Sequence, residues 1–378
     1  MSVVLPTPPT VIPPRRVVFL AGGGTGGHLV PALAIAAELR ARAPHLEPVL
    51  IGAQRGVESR LLPLRDFRYH LLPTEPIYRR EWWRNWRQPV VLAQLARRLW
   101  RLFDVEGPAV VVGTGGYASG PVVWWAQRLG LPTAIQEQNA WPGVANRWLA
   151  RGARHVYLGA PEARARLVPG ARTQLIDTGN PITPPDPWRR VAAREKYGLS
   201  GGQSVLLVTG GSQGALAINR AVADWLRSGK GKRVQLLWVT GPGTYDEFRA
   251  FHAPPRVHVI PFLDQMAEAY AVADLVVSRA GMLTVAELCA WGLPSILIPL
   301  PTAAANHQEE NAKALAAAGA AVHLPQATLT PDSLGNEIRR LLSDAAARRV
   351  LAEKALRRGK PDAARDIVTH ILALLQAG

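Results

Sequence analysis

The sequence predicts an α/β protein of two doubly wound domains, each built on a parallel sheet, with a cleft between them. Two observations lead to this prediction. Each half of the 378-residue chain repeats a short β-branched run, a glycine-rich turn and an amphipathic helical stretch, the pattern of parallel α/β units. The pattern stops at the proline-rich segment 178–187 and then restarts, because consecutive prolines cannot continue a helix or a central strand.

The predicted units follow one another in chain order. In the first half, RRVVFLAGGGTGGH leads into LVPALAIAAELRAR, PVLIGAQ follows, and then AVVVGTGGYASGP and PTAIQEQN lead into VVWWAQRLG and GVANRWLARGA. In the second half, SVLLVTGGSQGA, VQLLWVTG, RVHVIPF, ADLVVSRAG and SILIPLP are the predicted strands with their turns. Open α/β sheets bind ligands at the carboxyl ends of their strands, so we expect the functional site between the two halves.

The predicted domain boundaries follow from the same pattern. Residues 1–15 form a proline-rich tail, 16–180 the first domain, 181–187 a linker and 188–358 the second domain. The final segment, 359–378, has apolar residues at helical spacing, and we expect it to close the protein or to pack back on the first domain.

The charge and the composition of the chain limit the kinds of binding partner to expect. The chain carries 44 Lys and Arg against 28 Asp and Glu, a formal net charge of +16, which attracts polyanions. We find no helix-turn-helix pattern, zinc-finger spacing or RNA-binding aromatic motif, so we do not expect a nucleic-acid partner. The single cysteine, Cys289, excludes an internal disulfide framework and a cysteine-based zinc cluster. The amino terminus does not resemble a signal peptide, and no stretch approaches the roughly 20 apolar residues that span a bilayer.

Glycine-rich turns after predicted strands are the main chemical signal. GGGTGG formally satisfies the dinucleotide fingerprint, but the following strand ends in glutamine rather than the acidic residue that holds a nicotinamide cofactor's ribose. Four turns, GGGTGGH, GTGGYASG, GGSQGA and SRAGMLT, instead present backbone N–H groups and helix N-termini, which together bind anions without a metal. A pyrophosphate is the ligand that this pattern favours.

A second signal is the segment YRREWWRNWR, residues 78–87. Indole and guanidinium groups together suit the headgroup zone of a bilayer, where a ring is half buried and a cation meets lipid phosphate. The alternative is a helix packed on its own domain with solvated arginines. If the segment is helical, Tyr78, Trp82 and Trp86 form one stripe, with Arg79, Trp83 and Arg87 beside it.

Taken in order, the motifs resemble the MurG family, bacterial transferases that move N-acetylglucosamine from its UDP conjugate to undecaprenyl-diphospho-N-acetylmuramyl-pentapeptide. The resemblance covers nearly the whole chain from about Arg16. It rests on GGTGGH, GTGGYASGP, EQN, TGNP, GGSQGA, PFLDQMAEAYAVADLVVSRAG, LTVAEL and NHQEENA, in family order.

The resemblance implies a GT-B fold, inversion at the sugar carbon and no required metal or cofactor. It also implies an acceptor-binding, membrane-facing first domain and a UDP-sugar-binding second domain. The family acts as a peripheral protein at the cytoplasmic face of the cell membrane. An anionic membrane surface and other cell-wall proteins are therefore the partners to expect besides the two substrates.

The same resemblance implies roles for residues at the motif positions. Thr183 departs from the family, which usually has arginine there, and Arg279 is a nearby candidate to replace the lost cation. In chain order, Thr25, Gly26 and Gly27 line the donor–acceptor junction, Asn139 contacts the donor sugar, Ser212 hydrogen-bonds the diphosphate, the backbone at Leu263 pairs with uracil, Gly281, Met282, Leu283 and Thr284 flank nucleotide and phosphate, Glu287 holds the ribose hydroxyls, and Gln308, helped by His307, holds the sugar.

His28 is the candidate general base. It opens the helix after the first glycine turn, and an unperturbed pKa of about 6.5 suits proton transfer near neutrality. Two residue pairs also have a structural interpretation beside their functional one. Thr284 with Glu287 matches a helix capping box, and Asn306 with Glu309 forms a possible helix cap.

Other functions stay open at this point. Another GT-B enzyme acting on UDP-sugars, such as a glycolipid synthase or a UDP-sugar epimerase, has the same nucleotide-binding half. A nicotinamide-dependent oxidoreductase is disfavoured by the missing acidic residue, and a non-enzymatic nucleic-acid binder leaves the second set of glycine turns unexplained.

Overall fold

A computed structural model describes residues 16–24, 26–75, 83, 86, 88–200, 202–211, 214–232, 234–303 and 306–376. These residues form two lobes, each a parallel sheet covered by helices on both faces.

The first lobe is built on a seven-stranded sheet in the order β3-β2-β1-β4-β5-β6-β7, and every pairing is parallel. Its strands are nearly continuous apolar runs because helices cover both faces. The strands are β1 Arg16–Gly22, β2 Leu46–Ala53, β3 Arg68–Leu72, β4 Val110–Gly115, β5 Thr133–Glu137, β6 His155–Leu158 and β7 Gln174–Ile176, with helices α1 Gly26–Arg42, α2 Glu58–Leu61, α3 Gln88–Glu106, α4 Gly116–Arg128 and α5 Val144–Leu149.

The second lobe repeats this plan on six parallel strands in the order β10-β9-β8-β11-β12-β13. Its strands are β8 Val205–Thr209, β9 Gln235–Val239, β10 Val257–Ile260, β11 Leu275–Ser278, β12 Ser295–Leu297 and β13 Val322–His323, with helices α6 Arg189–Lys196, α7 Leu216–Arg227, α8 Tyr245–Phe248, α9 Met266–Val272, α10 Met282–Trp291, α11 His307–Ala317, α12 Pro331–Ser343 and α13 Ala345–Arg358.

The last helix, α14 Ala363–Gln376, returns to the first lobe. Its apolar face, which includes Ile367 and Ile371, packs into the core formed by β1, β2, β4 and α1. The chain therefore crosses between the lobes twice, first through 178–187 and again just after α13. The two crossings touch, because a Cβ placed on Gly179 would lie 2.3 Å from Cβ of Lys360.

Strand order reverses beside β1 in the first lobe and beside β8 in the second. At such switch points, loops leave the carboxyl ends of neighbouring strands in opposite directions and open a crevice. The glycine-rich turns follow β1, β4, β8 and β11, the strands at these positions. The predicted fold, two doubly wound domains with an interdomain cleft, is confirmed. Within the described part of the chain, no helix is long and apolar enough to cross a bilayer.

Candidate active site

The first glycine turn places His28 at the cleft. His28 lies in the first turn of α1 and is half-buried over the turn that joins β4 to α4. A Cβ on Gly115 would lie 2.7 Å from Cδ2 of His28, and a Cβ on Gly116 would lie 3.1 Å from Nδ1. Gly26 and Gly27, predicted to line the substrate junction, start the same helix, and the position of a Cβ on Gly26 is open space. Thr25 lies outside the described residues.

The surroundings of His28 change its acidity from the value assumed for a solvated imidazole. Burial lowers the pKa of His28 to about 4, a hydrogen bond to the Gly23 carbonyl acts in the opposite direction, and the electrostatic effect of the neighbouring His307 also lowers the pKa. His28 is therefore neutral at pH 7. His307 is the first residue of α11 in the second lobe, so the two imidazoles approach each other from opposite sides of the cleft.

The loop after β5 is held by a buried carboxylate. Both oxygens of Glu137 accept hydrogen bonds, from the N–H of Asn139 at 2.9 Å, the N–H of Gly143 at 3.0 Å and Nδ2 of Asn146 at 2.8 Å. Burial raises the pKa of Glu137, and these donors oppose that rise. Glu137 thus fixes the backbone on which Asn139, the predicted donor-sugar contact, is carried.

Asn311 joins the two lobes at this loop. Its Oδ1 accepts from the N–H of Ala140 at 3.0 Å, and its Nδ2 donates to Oδ1 of Asn139 at 3.3 Å and to the carbonyl of Ala280 at 3.2 Å. The side-chain amide of Asn311 on α11 therefore contacts both the first lobe and the segment that follows β11 in the second lobe. A guanidinium adds a second connection, since Arg166 donates to the Ala140 carbonyl and pairs with Glu310 at 3.3 Å.

In the second lobe, the turn after β8 wraps closely around backbone of the next strand. Gly214 has φ of +75°, and its N–H donates to the Gly211 carbonyl at 3.0 Å. A Cβ on Gly214 would lie 2.1 Å from the Thr240 carbonyl oxygen. The turn leads into α7, whose N-terminal N–H groups are available to an anion. Ser212, the predicted diphosphate contact, lies outside the described residues.

Helix α10 also begins at the cleft. Gly281 is its N-cap residue, and nothing lies within 4 Å of a Cβ placed there, so the helix N-terminus faces open space. Met282, Leu283 and Thr284 form the first turn and are partly exposed. The capping-box interpretation of Thr284 with Glu287 is wrong, because Thr284 is the third helical residue rather than the cap.

Glu287 lies in the next turn of α10, and its carboxylate is hydrogen-bonded to a residue of α9. The hydroxyl of Tyr270, on α9, donates to Oε2 of Glu287 at 2.9 Å. Burial raises the pKa of Glu287, and the Tyr270 hydrogen bond opposes the rise. Burial likewise raises the pKa of Tyr270, so its hydroxyl stays a donor.

If Glu287 holds the ribose hydroxyls of UDP, as the family resemblance implies, Tyr270→Phe should weaken UDP binding about fivefold, because Glu287 loses the hydrogen-bond donor that orients it, an interaction of about 1 kcal/mol. Binding of UDP and of its 2′-deoxyribose analogue is measured by calorimetry. The deficit should shrink with the analogue, since one ribose hydroxyl is missing. Tyr197→Phe is the control, because Tyr197 contacts Glu268 at 3.5 Å on the opposite side of α9. Equal losses for both nucleotides would contradict the prediction.

Two further predicted residues have contacts within the second lobe. Oε1 of Gln308 accepts a hydrogen bond from the backbone N–H of Leu300 at 3.0 Å. The side-chain nitrogen of Gln308 takes no part in this contact. Asn306 is the N-cap of α11 in a left-handed conformation, φ +55°, without a side-chain capping hydrogen bond, so the predicted cap is not formed. Leu263 is half-buried in the loop between β10 and α9.

Arg279, the candidate to replace the family's cation, uses one guanidinium nitrogen within its own lobe. Arg279 follows β11 and is buried, and its Nη1 donates to the carbonyls of Ile298 and Pro299 at 3.1 and 3.0 Å. Thr183 is exposed. The Arg279 side chain thus supports the loop after β12.

An apolar groove opens between α3, α4 and α5 of the first lobe, with a volume of about 340 Å³. Trp124 and Trp148 stand at its mouth, and Arg128 and Arg151 border it. Gly120, which begins the second turn of α4, and Ala145, in the first turn of α5, also line the groove. Among the predicted membrane contacts, Trp83 and Trp86 are exposed, and Tyr78, Arg79, Trp82 and Arg87 lie outside the described residues.

Sequence reasoning missed several residues that organise the cleft. Glu137 and Asn311 lie inside the motifs EQN and NHQEENA. The motifs did not show that these two side chains form hydrogen bonds within the protein. The signal for Trp124 and Trp148 was the pairing of indole with arginine on amphipathic helices, as in VVWWAQR and NRWLAR.

Two Rossmann-like lobes whose glycine turns and helix N-termini surround one cleft define a GT-B glycosyltransferase. The chain belongs to glycosyltransferase family 28: the family's N-terminal domain matches residues 18–158, and its C-terminal domain matches residues 205–367.

Two similar proteins carry the name UDP-N-acetylglucosamine–N-acetylmuramyl-(pentapeptide) pyrophosphoryl-undecaprenol N-acetylglucosamine transferase. The protein of Carboxydothermus hydrogenoformans is 38% identical, over 96% of this chain and 98% of its own. That of Salinibacter ruber is 40% identical, over 94% and 96%. The crystal structure of Acinetobacter baumannii MurG is 29% identical with a TM-score of 0.75 and covers 95% of this chain and 100% of that one. The resemblance to this family is confirmed.

The fold alone is shared more widely. A complex of S. aureus MnaA with UDP has a TM-score of 0.70 at 14% identity, covering 96% of this chain and 97% of that one.

Proposed function

We propose that the protein transfers N-acetylglucosamine from UDP-N-acetylglucosamine to undecaprenyl-diphospho-N-acetylmuramyl-pentapeptide, with inversion at the anomeric carbon. The relatives named for this reaction match the chain over nearly its whole length. The structural observation that carries the proposal is the convergence on one cleft of His28 from the first lobe and of the α7, α10 and α11 N-termini from the second.

The second lobe holds the donor in this proposal. The N-terminus of α7, with Ser212, binds the diphosphate, the backbone near Leu263 pairs with uracil, and the Gly281–Thr284 turn flanks the nucleotide. Glu287 accepts hydrogen bonds from the ribose hydroxyls. Gln308 and Asn139 contact the sugar from opposite lobes.

The chemical step needs one proton acceptor and stabilisation of a leaving anion. An acceptor hydroxyl attacks the anomeric carbon, its proton moves to the neutral imidazole of His28, and the bond from the anomeric carbon to the diphosphate breaks with its electron pair on UDP. Helix N-termini favour the charge that gathers on the diphosphate, and removing one donor of this kind typically costs about 2.7–4 kcal/mol. These turns therefore stabilise the departing diphosphate electrostatically. Among the described residues, no cluster of side chains has the composition of a metal site.

A transfer assay tests this function. Radiolabelled UDP-N-acetylglucosamine is supplied with the muramyl-pentapeptide diphosphate lipid, and label should enter the lipid product with release of UDP. Hydrolysis or epimerisation of the donor without transfer would instead support another enzyme of the same fold.

A second proposal concerns the membrane. The first lobe docks peripherally on an anionic bilayer through the tryptophan-bordered groove and the segment 78–87, and this brings the lipid-linked acceptor to the cleft. Support comes from the exposed indoles, Trp86 at 78% and Trp148 at 60%, from the arginines beside them and from the position of the groove next to the α4 and α5 N-termini. Indoles and cations contribute about 1.5–3 and about 1 kcal/mol each at such an interface, which gives reversible attachment.

We expect Trp124→Ser combined with Trp148→Ser to weaken binding to vesicles of anionic lipid at least about tenfold, since each indole loses apolar contact with the bilayer. Vesicle sedimentation measures this effect, and UDP affinity should stay unchanged. Trp188→Ser is the matched control, because Trp188 is 91% exposed but lies on the second-lobe side of the linker. Unchanged sedimentation of the double variant would remove the groove from the membrane surface.

A further inference from the structure

A buried carboxylate under the first glycine turn has no part in the reaction described above. Glu58, the first residue of α2, is fully buried. The N–H of Gly24 donates to its two oxygens at 2.8 and 3.0 Å, and the N–H of Ala53 donates to Oε1 at 2.8 Å. Room for the Glu58 side chain is left by three glycines. A Cβ on Gly23 or Gly56 would lie 2.0 or 2.2 Å from a carboxylate oxygen, and a Cβ on Gly52 would lie 2.4 Å from Cγ.

Glu58 and His28 form hydrogen bonds to the same peptide group. The carbonyl of Gly23 and the N–H of Gly24 belong to one planar unit. The carbonyl is hydrogen-bonded to His28, and the N–H is hydrogen-bonded to Glu58. A Cβ on Gly116 would lie 1.7 Å from this carbonyl oxygen and 3.1 Å from Nδ1, which places Nδ1 on the side of the carbonyl.

Hydrogen bonds in a chain polarise one another, and a peptide transmits this effect efficiently because it is conjugated. A carboxylate that pulls on the N–H increases the negative charge on the carbonyl oxygen. That oxygen then accepts more strongly from Nδ1–H and stabilises positive charge on the ring. The result matches the role of the acid in a Ser-His-Asp triad, with one peptide inserted between acid and imidazole.

We propose that Glu58 is a positioning residue for His28, which it orients and makes more basic through the peptide between Gly23 and Gly24. Nδ1 carries the proton donated to the carbonyl, and Nε2 carries the lone pair that receives the acceptor's hydroxyl proton. The destination of that proton rests on the function proposed above, whereas the tautomer rests on the geometry of the glycine turn.

Other ionisable groups that face this turn come from different elements. His307 approaches from α11 across the cleft. Tyr117, in α4, packs against Gly24, where a Cβ would be 2.6 Å from its ring. Of these groups, Glu58 alone accepts a hydrogen bond from the peptide group whose carbonyl is hydrogen-bonded to His28. Its charge therefore acts on His28 through that chain of hydrogen bonds.

The test uses the full chain with Glu58→Gln, which retains the Oε1 acceptor and removes the charge. With ¹⁵N-labelled histidine, the His28 signal should show a smaller share of the Nδ1–H tautomer than in the unchanged protein. The kcat for transfer should fall about tenfold, the equivalent of one pKa unit of lost basicity, while donor KM stays within about twofold. Glu106→Gln is the control, because Glu106 is also a buried carboxylate but pairs with His70 and Arg68 far from the turn.

Loss of kcat with an unaltered His28 tautomer would reduce Glu58 to a merely structural residue and overturn the proposal, as would kcat within twofold of the unchanged protein. If Glu58→Gln does not fold, the amide signals of the glycine turn answer the question in His28→Ala. The Gly24 amide proton should shift on loss of the imidazole, and the Ala53 amide, on the same carboxylate, should shift less. Equal shifts would contradict the peptide link. Because these spectra need no substrate, they separate failure of this proposal from failure of the proposed function.

Discussion

His28→Ala should lower kcat for transfer by 10²–10⁴-fold, the usual contribution of a general base, with donor KM nearly unchanged. The reason is that the imidazole faces the cleft from the first lobe, whereas the nucleotide-binding helices belong to the second. Steady-state transfer to the lipid acceptor measures both constants. His45→Ala is the control, because His45 is exposed in the turn between α1 and β2. Turnover within a few-fold of the unchanged protein would exclude His28 as the base.

The pH profile gives an independent check on the same residue. Burial holds the pKa of His28 at about 4, so the catalytically competent neutral form persists far below pH 6.5. In the free enzyme, kcat/KM should therefore stay level through pH 6 and fall only as the pH drops through about 4. The unfolded chain binds this proton near its ordinary pKa of about 6.5, so the His28 contribution to stability also declines as the pH falls from about 6.5 to about 4. A thermal melt at each pH separates the two effects. An inflection near 6.5 would contradict the assignment.

The second large effect is expected at the diphosphate turn. Gly214→Ala should raise donor KM and lower kcat, for a combined loss in kcat/KM of at least about 100-fold, since removal of one stabilising donor costs about 2.7–4 kcal/mol. Alanine at φ +75° is strained, and its Cβ would lie 2.1 Å from the Thr240 carbonyl oxygen, so the turn must move. The N-terminus of α7 would then no longer point at the diphosphate.

A glycine in the neighbouring loop provides the control for this substitution. Gly243 has open space at its Cβ position, and Gly243→Ala should leave kcat/KM within twofold. UDP binding by calorimetry distinguishes a lost diphosphate contact from global unfolding, which circular dichroism monitors. Normal UDP affinity in folded Gly214→Ala would show that this turn does not hold the diphosphate.

The fold could be predicted from sequence because its determinants are local and repeated. Runs such as VVFLAG and VLLVTG are apolar on both sides, and a glycine turn follows each, so strand, turn and crossover helix are specified within about 30 residues. The division into lobes was visible for the same reason, since segment 178–187 cannot continue either element. Helix α3 starting at Gln88 likewise follows from Pro89 in its first turn.

The details of the site were harder to predict because they depend on contacts between distant segments. The acidity of His28 depends on its burial between two lobes and on a histidine 279 positions away in sequence. The buried carboxylates of Glu58 and Glu137 resemble surface residues in the sequence, and only the fold shows that backbone N–H groups surround them. The capping-box pattern at Thr284 failed for a related reason, since the helix starts three residues earlier than that pattern requires.

The contact between Gly179 and Lys360 determines how the two lobes can move. Two chain segments connect the lobes, and they touch at this contact. One lobe can therefore rotate about the contact relative to the other, but it cannot translate away from it or rotate freely. Closure over a substrate should therefore be a rotation about an axis through Gly179, widest at the far rim of the crevice and nearly nil at the pivot. A bulkier residue at position 179 would obstruct the pivot without touching any substrate, because its side chain would have to occupy space already filled by Lys360 and Ala363.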